Sequence, residues 1–129
     1  MRRQVLICDD AMFMRSVVAS VLSGAGYEIV GEAATGAEAV TRFQELRPHV
    51  MTMDLLMPEM GGLDALKAIR AIDPEARIVI CSAMGQEHLM QQATAAGACA
   101  FVVKPFKPEA LLAAVDQALA HGTNLEGAA

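Results

Sequence analysis

The sequence predicts an α/β sandwich, a doubly wound parallel sheet with helices on both faces. Three observations predict it. Five short apolar runs alternate with five stretches of helical periodicity along 129 residues. The connections between them are short and rich in Gly, Pro and Asp. The apolar runs are near-continuous, without the in-and-out alternation of a half-exposed antiparallel sheet, so they suit strands covered on both sides.

Taken in order, Gln4 to Cys8 is the first strand, and Asp9-Asp10 ends it. Met12 to Leu22 is predicted helical, with Met14, Val17, Val18, Val21 and Leu22 on the apolar side, and Gly24 and Gly26 stop it. Glu28 to Ala33 is a second, more polar strand, expected near an edge. Thr35 and Glu38 have capping-box spacing and open a helix that buries Val40 and Phe43 and ends before Pro48. His49 to Met53 is the third strand and delivers Asp54. Leu63 to Ile72 is helical, with Leu63, Leu66 and Ile69 inward, and Asp73-Pro74 closes it. Arg77 to Cys81 is the fourth strand, ending at Ser82. Glu87 to Ala96 is a helix with a thin inward side of Leu89, Ala93 and Ala96. Cys99 to Val103 is the fifth strand, ending at Lys104-Pro105. Pro108 occupies a first helical position, with Leu111, Leu112, Val115 and Leu119 behind it. His121-Gly122 is expected to end this helix, so residues 1–122 form one domain and 123–129 a short tail.

Composition narrows the function. Apolar residues make up 54% of the chain and aromatics 4%, so Val, Ile, Leu, Met and Ala must fill the core. The net charge of -5 and the absence of a Lys/Arg cluster argue against nucleic acid as a direct partner. No secretory leader or membrane span is expected, because the apolar run after Met1-Arg2-Arg3 stops at two acids. Cys8, Cys81 and Cys99 form no CxxC pair and are expected as buried free thiols of a cytoplasmic protein.

In an open parallel sheet, ligands bind beyond the carboxyl ends of the strands. The residues expected there are Asp9, Asp10, Asp54, Ser82 and Lys104. Singly each has a bland account, since a strand-terminal Asp often only caps a helix and a lone Lys is usually solvated. Capping does not explain five such groups at one edge. Two carboxylates held ~4 Å apart repel by about 4 kcal/mol at an effective dielectric of ~20, so three together call for a divalent cation. Oxygen ligands of this kind suit Mg2+, which keeps waters and accepts a phosphate oxygen. With Lys104 as a second cation and Ser82 as a hydrogen-bond donor, the edge suits a phosphoryl group attacked by a carboxylate.

The joint motifs are Asp9-Asp10, the MDLLMPEMGG run around Asp54, CSAMG at 81–85 and FVVKPF at 101–106. Through them the chain resembles the receiver domains of two-component response regulators, and most closely the stand-alone chemotaxis regulators. The resemblance covers residues 4 to about 120. It implies a flavodoxin-like sheet of order 2-1-3-4-5 with five helices. It implies Asp54 as phosphoacceptor and Mg2+ held by Asp9, Asp10, Asp54 and the backbone carbonyl of Leu56. Lys104 is expected to contact the phosphoryl group through a turn with a cis Lys104-Pro105 bond, and Ser82 and Phe101 to act as switch residues. From spacing alone, Phe101 reads equally as core, and a cap of the turn after it is the lesser alternative for Ser82.

The implied partners are a histidine kinase as phosphodonor and the flagellar motor switch protein as target, with the regulator a monomer. The implied activity is limited to its own phosphorylation and dephosphorylation, so it is not an enzyme in the ordinary sense. A lone receiver in a phosphorelay or developmental pathway is the alternative. An Mg2+-dependent phosphatase is disfavoured because no further general acid and no cap domain are evident. A flavodoxin-like nucleotide binder is disfavoured because Asp9-Asp10 stands where a phosphate-cradling loop belongs. The chain departs from the family pattern in Phe101 for the commoner Tyr and Ser82 for the commoner Thr. Leu56 and Met84, two residues after Asp54 and Ser82, cannot hydrogen-bond an attacking water strongly. Slow self-hydrolysis of the acyl phosphate is therefore expected.

Overall fold

The computed structural model describes residues 2–128, with side chains described through Ala120. Strands and helices alternate as β1 (Gln4–Cys8), α1 (Met12–Gly24), β2 (Glu28–Ala33), α2 (Gly36–Leu46), β3 (Val50–Asp54), α3 (Gly62–Ile72), β4 (Ile78–Ala83), α4 (Glu87–Ala95), β5 (Ala100–Lys104) and α5 (Pro108–Ala128). The strands form one parallel sheet in the order β2-β1-β3-β4-β5, with the polar β2 at an edge. This is the flavodoxin-like order expected from the sequence.

The two faces of the sheet build two apolar layers, because successive strand residues point to opposite sides. Leu6, Met51, Met53, Ile78 and Ile80 meet Phe43 of α2, Leu66 and Ile69 of α3, and Ala93 of α4. Val5, Ile7, Val50, Val79 and Val102 meet Val18 and Leu22 of α1, and Leu111 and Val115 of α5. Both faces are covered, so the strands read as continuous apolar runs. α4 is the thinnest contributor, burying only Ala93 fully.

Local signals act much as expected. Thr35 Oγ1 accepts from the Glu38 amide at 3.1 Å, and Glu38 Oε1 accepts from the Ala34 amide at 2.7 Å. The return bond reaches one residue further back than the usual capping box. His49, Arg77 and Cys99 lie just outside the strands they were expected to open. They still join the ladder, through His49 N to Gln4 O, Met51 N to Arg77 O and Cys99 N to Ile78 O. Cys99 is half-buried rather than buried for the same reason, as it sits in the turn before β5.

One boundary differs. α5 carries bounds of Pro108–Ala128, past the His121-Gly122 stop expected from the sequence. A glycine inside a helix costs only about 1 kcal/mol relative to alanine and does not by itself end one. The side chains of the expected tail, 123–129, lie outside the described residues.

The order in which strands are added switches sides between β1 and β3, with β2 on one side and β4 and β5 on the other, which leaves a crevice at their carboxyl ends. Asp9 follows β1 and Asp54 ends β3, so both stand at this crevice. Gly62 closes it from below: a Cβ there would stand 2.1 Å from the Asp54 carbonyl oxygen.

Candidate functional site

Asp9, Asp10 and Asp54 meet at the crevice, each with a carboxylate oxygen within 4.8 Å of the others. Asp9 and Asp54 are buried, and Asp10 is exposed. Lys104, at the end of β5, reaches back across β4. Its ammonium donates to Asp9 Oδ2 at 2.6 Å and to Asp54 Oδ2 at 3.3 Å. The bond between Lys104 and Pro105 is cis. Asp9 Oδ1 accepts from the Ala11 amide at 2.9 Å, and Asp54 Oδ1 from the Leu56 amide at 3.3 Å. Each buried carboxylate therefore has one oxygen tied to a turn and one on the lysine.

The balance of charge is unequal. Burial pushes the Asp54 carboxyl above its ordinary range; Lys104 and the Leu56 amide pull it down and Asp9 pushes it up, and the net direction is up. For Lys104, burial works against its charge. The hydrogen bond to Asp9 and the charges of both acids outweigh that, so its ammonium is held more firmly than in water. One lysine thus leaves a surplus of negative charge at the crevice. Three carboxylates with no nitrogen or sulfur donor form the ligand chemistry of a hard divalent cation such as Mg2+. The Leu56 carbonyl accepts no hydrogen bond among the described residues and is available as a further oxygen ligand.

Nearby thiols do not alter this chemistry. Burial, offset in part by Lys104, pushes Cys81 up to about 12, and burial drives Cys8 higher still. Both remain neutral near pH 7 and supply no nucleophile or thiolate ligand.

Ser82, on β4, is fully buried, and its Oγ has no hydrogen-bond partner. A buried hydroxyl without a partner is costly, and here it lies on the strand between Asp54 and Lys104. It does not cap the following turn: the Ala83 amide is taken by Gln86 Oε1 at 2.8 Å. Phe101, on β5, is half-buried and packs against the layer that holds α2, α3 and α4. Leu56 and Met84, two residues after Asp54 and Ser82, are 57% and 79% exposed, so both apolar side chains are open to solvent.

Two contributors escaped the sequence reading. Gly62 seats α3 on the Asp54 carbonyl. Arg15 donates from Nη1 to the Asp9 carbonyl at 2.7 Å and from Nε to Glu32 at 2.7 Å. An arginine on an amphipathic helix reads as solvated, and nothing in its spacing marks it as part of the site.

Comparison with known proteins agrees with this geometry. The response regulator receiver domain profile matches residues 5–116. The chain is 50% identical over 117 residues to the chemotaxis protein CheY of Thermotoga maritima, covering 91% of this chain and 98% of that protein. It is 47% identical over 119 residues to CheY of Bacillus subtilis, covering 92% and 99% respectively. Among solved structures, the CheX-CheY-BeF3-Mg2+ complex of Borrelia burgdorferi aligns with a TM-score of 0.84 and 33% identity, over 88% of this chain and 86% of that one.

Proposed function

The chain belongs to the response regulator receiver domain family, as a CheY-like receiver of a two-component system, and we propose that it is a phosphorylation-driven switch of chemotaxis with Asp54 as phosphoacceptor. The observation that carries this is the buried Asp54 carboxylate, held beside Asp9 and Asp10 and in contact with Lys104. The donor is a phosphohistidine of a histidine kinase. A carboxylate oxygen of Asp54 attacks phosphorus. The O–P bond forms as the donor's N–P bond breaks, and the imidazole leaves with the electron pair. Asp9, Asp10, Asp54 and the Leu56 carbonyl would hold Mg2+, which when bound neutralises the carboxylates and a phosphoryl oxygen. The chain catalyses only its own phosphorylation and dephosphorylation.

The unpartnered Ser82 hydroxyl is the group with most to gain from a phosphoryl oxygen. Lys104 has the same incentive, because the phosphoryl group raises the negative charge at Asp54 from -1 to about -2. Movement of Ser82 opens space that Phe101, now half-buried, can fill. The thinly packed α4 and the neighbouring β5 and α5 then present the output surface. The target in this reading is a protein, the flagellar motor switch protein; the likeness to proteins named chemotaxis protein CheY supports a chemotaxis role. Among the described residues no helix is long and apolar enough to cross a membrane, and we place the protein in the cytoplasm as a monomer.

Intact mass after incubation with acetyl phosphate tests the phosphoacceptor. One phosphoryl adduct is expected with Mg2+, none with EDTA, and none for Asp54→Asn. An adduct that survives in Asp54→Asn would remove the assignment. Capture by a motor-switch N-terminal peptide, with and without beryllofluoride, tests the target; equal capture in both states would direct the search to another pathway.

The exposed Leu56 and Met84 also predict a long-lived acyl phosphate. Leu56→Asn with Met84→Glu should speed loss of the adduct by about tenfold, modest beside the 10²–10⁴ of a well-placed general base. A time course of intact mass after donor removal reads the rate, and equal half-lives would refute the idea.

A further inference from the structure

Asp10 is the exposed acid of the three, and among the described residues its carboxylate has no hydrogen bond or ion pair. Its direction is therefore set by the backbone that precedes it. That backbone is the Asp9–Asp10 peptide, which is planar, so the orientation of the Asp9 carbonyl governs how the Asp10 side chain leaves the chain. The Asp9 amide is fixed by its bond to the Ala33 carbonyl at 3.0 Å. The Asp9 carbonyl is fixed by Arg15 Nη1 at 2.7 Å, and the same guanidinium is anchored on β2 by Glu32 at 2.7 Å. The Arg15 side chain is only 16% exposed, so this bridge is shielded on its inner side.

We propose that Arg15, anchored by Glu32, is a positioning residue for the divalent cation site, holding the Asp9–Asp10 peptide so that the Asp10 carboxylate converges with those of Asp9 and Asp54. This rests on reading those acids as an Mg2+ site. Glu32 has a second consequence: it neutralises a guanidinium that would otherwise add positive charge beside the cation. Positioning and charge predict opposite signs. If Arg15 acted only as a charge near the site, its removal would tighten Mg2+ binding. If it positions the peptide, its removal weakens binding.

The test is calorimetric titration of the unphosphorylated protein with Mg2+ alone. Arg15→Ala should bind about tenfold more weakly, the lower end of the loss seen when a residue that orients metal ligands is removed. Arg15→Lys keeps the charge but lacks the planar fork that spans both acceptors, so it should also bind more weakly, by about threefold or more. Glu32→Ala, at a half-exposed position, should shift in the same direction by about twofold to threefold. In acetyl phosphate assays the Mg2+ concentration for half-maximal rate should rise in parallel, while the rate at saturating Mg2+ recovers to within about twofold of the parent. The Asp10 backbone amide resonance should move in Arg15→Ala before any metal is added.

Unchanged or tighter binding by Arg15→Ala overturns the proposal, as does parental binding by Arg15→Lys. If Arg15→Ala does not fold, Arg15→Lys decides between the same outcomes, because charge alone predicts parental binding for it. Absence of Mg2+ binding by the parent overturns the metal reading itself, and this inference with it.

Discussion

Replacing Lys104 with Met should cost about 2–3 kcal/mol of stability in metal-free buffer. Removing one partner of a buried ion pair strands the other charge, at about 3–5 kcal/mol when burial is complete, and Lys104 retains some solvent contact. The stranded charge is Asp9, whose side chain is only 5% exposed. Met keeps most of the apolar stem, so the loss reports the ammonium rather than the packing. Mg2+ should then restore the variant more than it stabilises the parent, because a cation at the acids replaces the missing charge, and ligand at ~100 times its dissociation constant is worth about 2.7 kcal/mol. Urea unfolding with EDTA and with saturating Mg2+ measures both. An equal loss in the two buffers would show that a cation at the acids does not stand in for the Lys104 ammonium.

The same substitution has a pH signature. The folded Lys104 ammonium is held above its ordinary value of 10.5, so the native state keeps that proton more firmly than the unfolded chain. Its contribution to stability is fully present below 10.5 and is lost as the pH rises through the folded value. The parent should therefore lose stability at the alkaline end, and Lys104→Met should lack that part of the slope. Asp54 is also raised, but as an acid. Its contribution is present below its unfolded value and is lost as the pH rises through the folded one, so near neutral pH its ionisation favours the unfolded chain.

Gly62→Ala should be among the most damaging small substitutions at the described glycines. The added Cβ would meet the Asp54 carbonyl oxygen at 2.1 Å and the Leu55 Cα at 2.8 Å. Both are backbone atoms, so either α3 or the end of β3 must move. Overpacking of this kind costs typically about 1–3 kcal/mol, and the backbone location places the expected loss at about 3. The chemistry should suffer as well. A shift of ~1 Å at a reacting group can cost about 10²-fold in rate, so phosphorylation by acetyl phosphate should fall by that order. Gly61→Ala is the control, because its Cβ would meet only the Leu55 carbonyl oxygen, at 3.2 Å. Its loss should stay under about 1 kcal/mol, as for a change at a helix cap. Equal behaviour of the two variants would show that the approach of α3 to Asp54 is not what disciplines the site.

Much of the site was legible because its groups sit at strand ends. A parallel strand has a fixed direction, so an apolar run that stops on Asp9, Asp54, Ser82 or Lys104 places that residue at the carboxyl edge. The Thr35–Glu38 cap was legible for a related reason, as its hydrogen bonds join residues close in sequence. The stop at Gly122 was misread because a glycine weakens a helix without ending it. The half-burial of Cys99 was missed because a turn residue can carry a ladder hydrogen bond without lying in the strand.

The sequence by itself determined the alternation of elements, the two-faced sheet, and which acids, hydroxyl and lysine share an edge, because periodicity and strand direction are local properties of the chain. Tertiary structure alone decided how those groups divide their bonds. Lys104 lies closer to Asp9 than to Asp54, Ser82 is left without a partner, and Phe101 is only half-buried. It also decided that Arg15 on α1 reaches back to the Asp9 carbonyl and across to Glu32 on β2, and that α3 presses Gly62 against Asp54. These contacts depend on distances of a few tenths of an ångström between segments far apart in sequence, and such distances are set only when the helices dock on the sheet.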